Sequence, residues 1–214
     1  AGTHLVTYSY TNAYGCQSQS TQTMTIAGPS LHSCGDTVID IRDGQLYPTV
    51  QINTQCWLAK NLNYGLQTPS SNLQRDNCIP EKFCFNEFTS KCMQYGGLYQ
   101  WDELMTYSDE EQVQGLCPPG WHIPSQAEWE VLFAYYVNNA FAASPLLYNG
   151  YSGYNAQLSG ARFINLTWDF EEFATLIWSS TSHGPFKAWA HGMNKYDHGV
   201  SYYPAYRMNA FSVR

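Results

Sequence analysis

The stretch Cys117-Pro118-Pro119-Gly120-Trp121-His122-Ile123-Pro124-Ser125-Gln126-Ala127-Glu128-Trp129 passes from a turn into a helix. Its first half locks His122 in a Gly-Trp-His-Ile-Pro turn, where a structural hydrogen-bonding role is expected. Ser125 can then cap the helix while Glu128, three residues on, completes a capping box. Trp129, Leu132, Phe133 and Tyr136 follow at helical spacing and mark one buried face. A second helix is expected over 98–107, where Leu98, Trp101, Leu104 and Met105 recur at the same period.

Around these helices the texture is short strands and turns. Residues 37–42 and 47–52 read as strands around Asp43-Gly44, a dipeptide suited to a tight turn. Further strands are expected at 162–166, 177–180, 187–193 and 210–213. Residues 1–27 differ: 4–10 alternate, a turn follows at Asn12-Ala13-Tyr14-Gly15, and a Thr-rich strand ends at Met24-Thr25-Ile26. Two strands alone make a marginal structure, so this hairpin belongs to a larger sheet. The expected organisation is a hairpin over 1–27, a linker over 28–33 and a main α+β domain over 34–214. No repeat of 20–50 residues is visible.

Composition excludes several classes. The 214 residues carry 10 Lys+Arg against 17 Asp+Glu, a net charge of −7, so there is no basic footprint for nucleic acid or anionic lipid. No apolar run approaches the roughly 20 residues of a membrane helix, and direct membrane insertion is not expected. Aromatic residues at 16% supply ample surface to bury, which argues against disorder. Seven cysteines without a CxxC pair point to an oxidising compartment. Ala1-Gly2-Thr3 reads as a processed start. Cys84 and Cys92 are expected to close a short loop, and Cys34 with Cys56 to bracket the first hairpin.

Motifs in series then resemble one family. They are Asp43-Gly44-Gln45-x-Tyr47, Gln55-Cys56-Trp57-Leu58-Ala59-Lys60-Asn61-Leu62, Tyr95-Gly96-Gly97-Leu98-Tyr99-Gln100-Trp101, the 117–124 turn, Trp178-Ser179-Ser180-Thr181, Ala188-Trp189 and Phe211-Ser212-Val213-Arg214. Order and spacing over 34–214 resemble the Fibrobacter succinogenes major paralogous domain. The resemblance implies a C-type-lectin-like fold with two helices and short twisted antiparallel strands. Family members continue Ser-Val-Arg-Cys-Val, which implies that the partner of Cys117 lies beyond Arg214. The hairpin resembles the end of a bacterial Ig-like domain, in which case Cys16 is expected to be unpaired.

The C-terminal segment also resembles targets of diversity-generating retroelements, in which a fixed skeleton alternates with varied positions. Trp178–Thr181, Ala188-Trp189, Met193, Val200, Arg207 and 211–214 fit the skeleton. His183, Phe186, Lys187, His191, Lys195, Tyr196, Asp197, His198, Tyr202, Tyr203 and Tyr206 lie between them and are the candidate ligand-binding residues. Exposed Tyr offers amphipathic contact area at low entropic cost.

No chemistry emerges from the motifs. The chain has no cysteine after Cys117, which removes the late cysteine pair of the formylglycine-generating relatives; GxSxG and HExxH are absent, and Asp169, Glu171 and Glu172 read as a solvated loop. His183, His191 and His198 are spaced eight and seven apart, which fits no tight zinc-ligand pair. Neither Glu-Pro-Asn nor Gln-Pro-Asp occurs, so calcium-dependent sugar capture is not expected; a structural Ca²⁺ is left open, and no other cofactor is implied. The expectation is a non-catalytic recognition domain outside the cell, on a cell surface or virion. It would take a protein or glycan ligand on another cell through the 182–209 face. A carbohydrate-adhesion module and a ligand-free structural spacer are the alternatives.

Overall fold

The computed structural model describes residues 3–12, 16–25, 33–136 and 143–214. Residues 13–15 of the expected turn (12–15), the last two residues of the expected hairpin (26–27) and 28–32 of the expected linker (28–33) lie outside the described residues. The chain divides into two compact units, Ala1–Ser33 and Cys34–Arg214.

The first unit is an antiparallel hairpin of β1 (Thr3–Thr11) and β2 (Gln17–Thr25), in register from Thr3↔Thr25 to Thr11↔Gln17. Asn12 closes it: its backbone N–H donates to the Cys16 carbonyl (3.1 Å) and its side-chain Oδ1 accepts from the Cys16 N–H (3.0 Å).

The second unit is α+β. It opens with the sheet β3 (Thr37–Ile39), β4 (Leu46–Ile52) and β5 (Gln55–Leu58), followed by a parallel pair, β6 (Leu66–Gln67) and β7 (Glu81–Lys82). Next come α1 (Thr89–Tyr95), β8 (Tyr99–Gln100), α2 (Trp101–Leu104), α3 (Gln126–Tyr135) and α4 (Ala143–Leu146). The chain ends in β9 (Ser159–Arg162), β10 (Trp168–Glu171), β11 (Ala174–Ser182), β12 (Lys187–Asn194), β13 (Ser201–Tyr206) and β14 (Ala210–Phe211). These strands and β8 form the large sheet in the order β13-β12-β11-β9-β14-β8, with β10 paired to β9.

Sequence and structure agree at α3. Ser125 accepts from the Glu128 N–H, and the Glu128 carboxylate takes the Ser125 N–H at 2.8 Å. Burial pushes the Glu128 carboxyl up, but hydrogen bonds from Ser125 and His122 outweigh it and hold the group below its usual range. His122 reaches Glu128 at 2.9 Å.

The expected second helix over 98–107 is corrected. Tyr99 and Gln100 form a strand because their backbone pairs with Phe211 and Ala210, and only Trp101–Leu104 is helical. Thr106 and Tyr107, at φ 51° and 61°, end it in the left-handed region. The described residues hold four helices rather than two, the additions being the short α1 and α4. The strand expected at 162–166 stops at Arg162. There the chain reverses, the Leu166 N–H reaching the Phe163 carbonyl (2.8 Å), and returns as β10.

At β11 the large sheet is buried on both faces, which suits the apolar run of that strand. Leu176 and Trp178 face one core with Tyr99, Trp101, Leu104 and Phe211. Ile177 faces the other with Trp57, Trp129, Leu132, Phe133 and Met193. Two indoles tie the first core together. Trp101 Nε1 donates to the Ser179 carbonyl and Trp178 Nε1 to the Tyr99 carbonyl, each at 2.8 Å.

Cys34 bonds Cys56 and Cys84 bonds Cys92, with Cα separations of 5.7 and 4.9 Å. Cys16 is disulfide-bonded as well, which corrects the expectation that it is unpaired. The one thiol left over by an odd count is Cys117, buried in the first core. Burial pushes it up to about 12, so it stays neutral and unreactive. Disulfides persist in oxidising compartments, which is consistent with an extracellular or secreted protein. No helix among the described residues is long and apolar enough to cross a membrane.

Trp178→Ala removes a large buried ring and one of the two indole bonds, and is expected to lower stability by about 3–5 kcal/mol. Cys92→Ser opens an eight-residue span and is expected to cost about 2–3 kcal/mol. Urea-unfolding midpoints at constant slope would measure both.

Candidate recognition face

Strand register sorts the C-terminal segment into an inner and an outer set. β12 and β13 are antiparallel, with Lys187 opposite Tyr206, Trp189 opposite Pro204 and His191 opposite Tyr202. These six side chains share one face of the sheet, because directly opposed residues point the same way. The intervening pairs, Ala188 with Ala205 and Ala190 with Tyr203, point into the first core. Small alanines there let the strands lie close to Trp178.

The outer face is covered at one end and open at the other. α3 covers the His191 end, where the imidazole lies 4.8 Å from the Trp129 ring and 5.1 Å from that of Phe133. At the open end the rings form a strip. His183 meets Trp189 edge-on at 5.1 Å, Trp189 lies 6.0 Å from Tyr202, and Lys187 Nζ sits 4.8 Å over the Tyr206 ring. Tyr202 is 53% exposed, Tyr206 49% and Phe186, in the adjoining loop, 74%. β13 is the edge strand, and Pro204 at its centre has no N–H to offer a further strand. Contact with a partner is therefore directed to the side chains of the face.

The candidate residues do not all meet. Lys195, Tyr196, Asp197 and His198 lie at the far end of β12, roughly 23 Å along the strand from Lys187 at about 3.3 Å per residue. There Tyr196 packs on Phe173 at 5.6 Å with Lys195 Nζ 5.1 Å over its ring. Asp197 serves the turn, accepting from the Gly199 N–H (3.0 Å), and His198 Nδ1 contacts Ser144 Oγ at 2.5 Å. Tyr203 points inward and is half-buried, with burial pushing its hydroxyl up to about 12. His191 is fully buried. Two residues of the strip, Trp189 and Pro204, were not among the candidates. The parity of Trp189 with Lys187 and His191 was the available signal.

The loop at the open end is held by Arg207, which is itself buried. Its Nη1 donates to Asp102 (3.1 Å); its Nη2 donates to Asp109 (2.6 Å), Ser182 Oγ (2.8 Å) and the Gly184 carbonyl (3.2 Å). The guanidinium lies 4.0 Å from the centre of the Trp101 ring. Burial raises Asp102 above its usual range even with this cation beside it. The Trp178–Thr181 motif supplies a bulge in β11, opposite the start of α3: the Ser180 N–H reaches the Pro124 carbonyl and Thr181 Oγ1 accepts from the Gln126 N–H, both at 2.8 Å. Rigid anchors thus flank the exposed rings. Among the described residues no group of three or more His, Cys, Asp or Glu is arranged to hold a metal ion.

Two outcomes are expected. Arg207→Lys keeps the charge but loses the planar fork, so amide exchange should quicken at 183–187 while α3 exchanges as before. The second concerns acid. Burial lowers the His191 imidazole to about 3, while an unfolded histidine titrates near 6.5, so the unfolded chain binds the proton first. Stability from this site is complete above about 6.5 and is lost as pH falls toward 3. Between pH 6 and 5 the protein should therefore lose up to about 1.4 kcal/mol more per pH unit than its His191→Phe variant. Equal slopes in urea titrations would contradict this burial.

Residues 50–214 match the Fibrobacter succinogenes major domain, a segment that runs from β4 to the last residue and contains the whole large sheet. No match was found among curated proteins or among solved structures. On that match the chain belongs to the Fibrobacter succinogenes major domain family.

Proposed function

We propose that residues 34–214 form a non-catalytic extracellular domain that recognises a protein or glycan on another cell through the strip His183, Lys187, Trp189, Tyr202, Pro204 and Tyr206. The observation that carries this reading is the register of β12 and β13. It turns aromatic and proline side chains outward on β12 and the edge strand β13, while the alternate residues Ala188, Ala190, Tyr203 and Ala205 pack against the first core. Exposed Trp and Tyr supply most of the binding energy in many interfaces at little entropic cost. The C-type-lectin-like architecture and the Ig-like origin of the hairpin belong to the same proposal, as does a retroelement-varied tail. The last is supported by the separation of anchors such as Arg207 and Trp178 from outward residues that bear no core load.

The test is a glycan array and a displayed library of surface proteins, probed with the intact chain and with Tyr202→Ala/Tyr206→Ala. The double variant should melt almost where the parent does, since exposed replacements shift stability by under about 0.5 kcal/mol each, and should bind at least tenfold more weakly. Tyr203→Ala should instead destabilise the fold. Retention of glycans alone would select the carbohydrate-adhesion reading. Unchanged binding by the double variant would remove the strip from the site, and no retained ligand at all would favour a structural spacer.

A further inference from the structure

Three buried arginines anchor the second unit, and one of them lacks what the others have. Arg207 is met by two carboxylates, Asp102 and Asp109. Arg214 is met by acceptors on all three nitrogens: Asn61 Oδ1 (2.6 Å), the Tyr154 carbonyl, and the Asn155 carbonyl (2.7 Å). Arg162, at the end of β9, is fully buried, yet among the described residues its only acceptor is the Ser70 carbonyl, reached by Nη2. Its Nε and Nη1 have no acceptor among the described residues. Its guanidinium lies 4.4 Å from the centre of the Phe83 ring, and burial lowers its proton affinity.

A second buried donor lies in the same loop. Ala210 pairs with Arg162 on one side and Gln100 on the other, placing those side chains on one face of the sheet. Gln74, four residues after Ser70, clasps Gln100: each backbone N–H donates to the other's side-chain oxygen, at 2.8 and 2.6 Å. Gln100 Nε2 is satisfied by the Met208 carbonyl (2.8 Å). Gln74 Nε2 has no acceptor among the described residues. The nearby carboxylate of Glu87 accepts from Ser70 and does not pair with the guanidinium. The orphaned groups beneath the 68–80 loop are therefore all donors and carry one uncompensated positive charge.

That imbalance selects a ligand. A water molecule would satisfy the donors but bring two of its own and leave the charge unpaired. An anion is acceptor-only and neutralises the guanidinium, and burial strengthens their attraction. Arg162 has no exposed surface and Gln74 only 7%, which limits the ligand to a small one. We infer that Arg162 and Gln74 form an internal site for one small monovalent anion, a halide or a carboxylate of formate size, which pins the 68–80 loop to the large sheet. This site is independent of the recognition face and of any ligand bound there.

The experiment uses the intact 214-residue chain, dialysed into sodium gluconate and titrated with sodium bromide or sodium formate at constant ionic strength. The melting temperature should rise and follow log concentration for at least one of them, and the two titrations separate halide from carboxylate. Crystals grown in bromide should show an anomalous peak beside Arg162. Arg162→Met should abolish the response; Gln74→Leu, which keeps the charge, should weaken the apparent affinity at least tenfold. Should Arg162→Met fail to fold, Gln74→Leu and the anomalous map still decide. Identical titrations in gluconate, bromide and formate, or a bromide map without a peak at Arg162, would overturn the inference.

Discussion

The second unit depends on a reciprocal bond between two tryptophans and two strands. Trp101 donates to the backbone of β11 at Ser179, and Trp178, one residue before Ser179, donates back to β8 at Tyr99. Each indole would otherwise bury an unpaired N–H in an apolar core, an expense of roughly 1–3 kcal/mol. Each carbonyl also lies where its strand leaves regular pairing: Tyr99 at the passage into α2, Ser179 in the bulge of β11. The two bonds thus close gaps that the ladder leaves open. They fix the height of β11 against α2, and with it the position of everything hung on β12 and β13.

A chain with only 13% charged residues uses its arginines sparingly and mostly inside. Arg207 gathers the 182–187 loop against α2 and Trp101, while Arg214 stacks on Tyr154 and binds Asn61, joining the end of the chain to its middle. A guanidinium is suited to this because one planar group serves several acceptors in different directions and still stacks on a ring. Arg162 keeps the stacking but, among the described residues, has no acceptor for Nε and Nη1. Its contrast with the other two makes the small-anion site legible.

Outward display and internal order meet on β12. Alternate residues of one strand hold the core and face the solvent, so Ala188 and Ala190 let Trp178 approach while Trp189, between them, is left half-exposed. Along the outer face the change from buried His191 to half-exposed Lys187 follows the end of coverage by α3. Side chains past that limit bear little of the folding load and are free to serve recognition.

Features whose partners are close in sequence were legible without coordinates: the Ser125–Glu128 capping box, the Cys84–Cys92 loop, the α3 face and the family pattern matched over 50–214. Each depends on a spacing of a few residues, or on motif order, and both are written in the chain. What only the tertiary structure decided depends on distant partners. Tyr99 and Gln100 became a strand because β14, 110 residues later, pairs with them. Of eleven candidate binding residues, Tyr203 turned inward, His191 stayed on the outer face but was buried under α3, four moved to the far turn, and Trp189 joined the strip. A strand's alternation says only that neighbours point to opposite sides. Which side meets water is set by the elements laid across the sheet, here α3 and the indole-pinned α2.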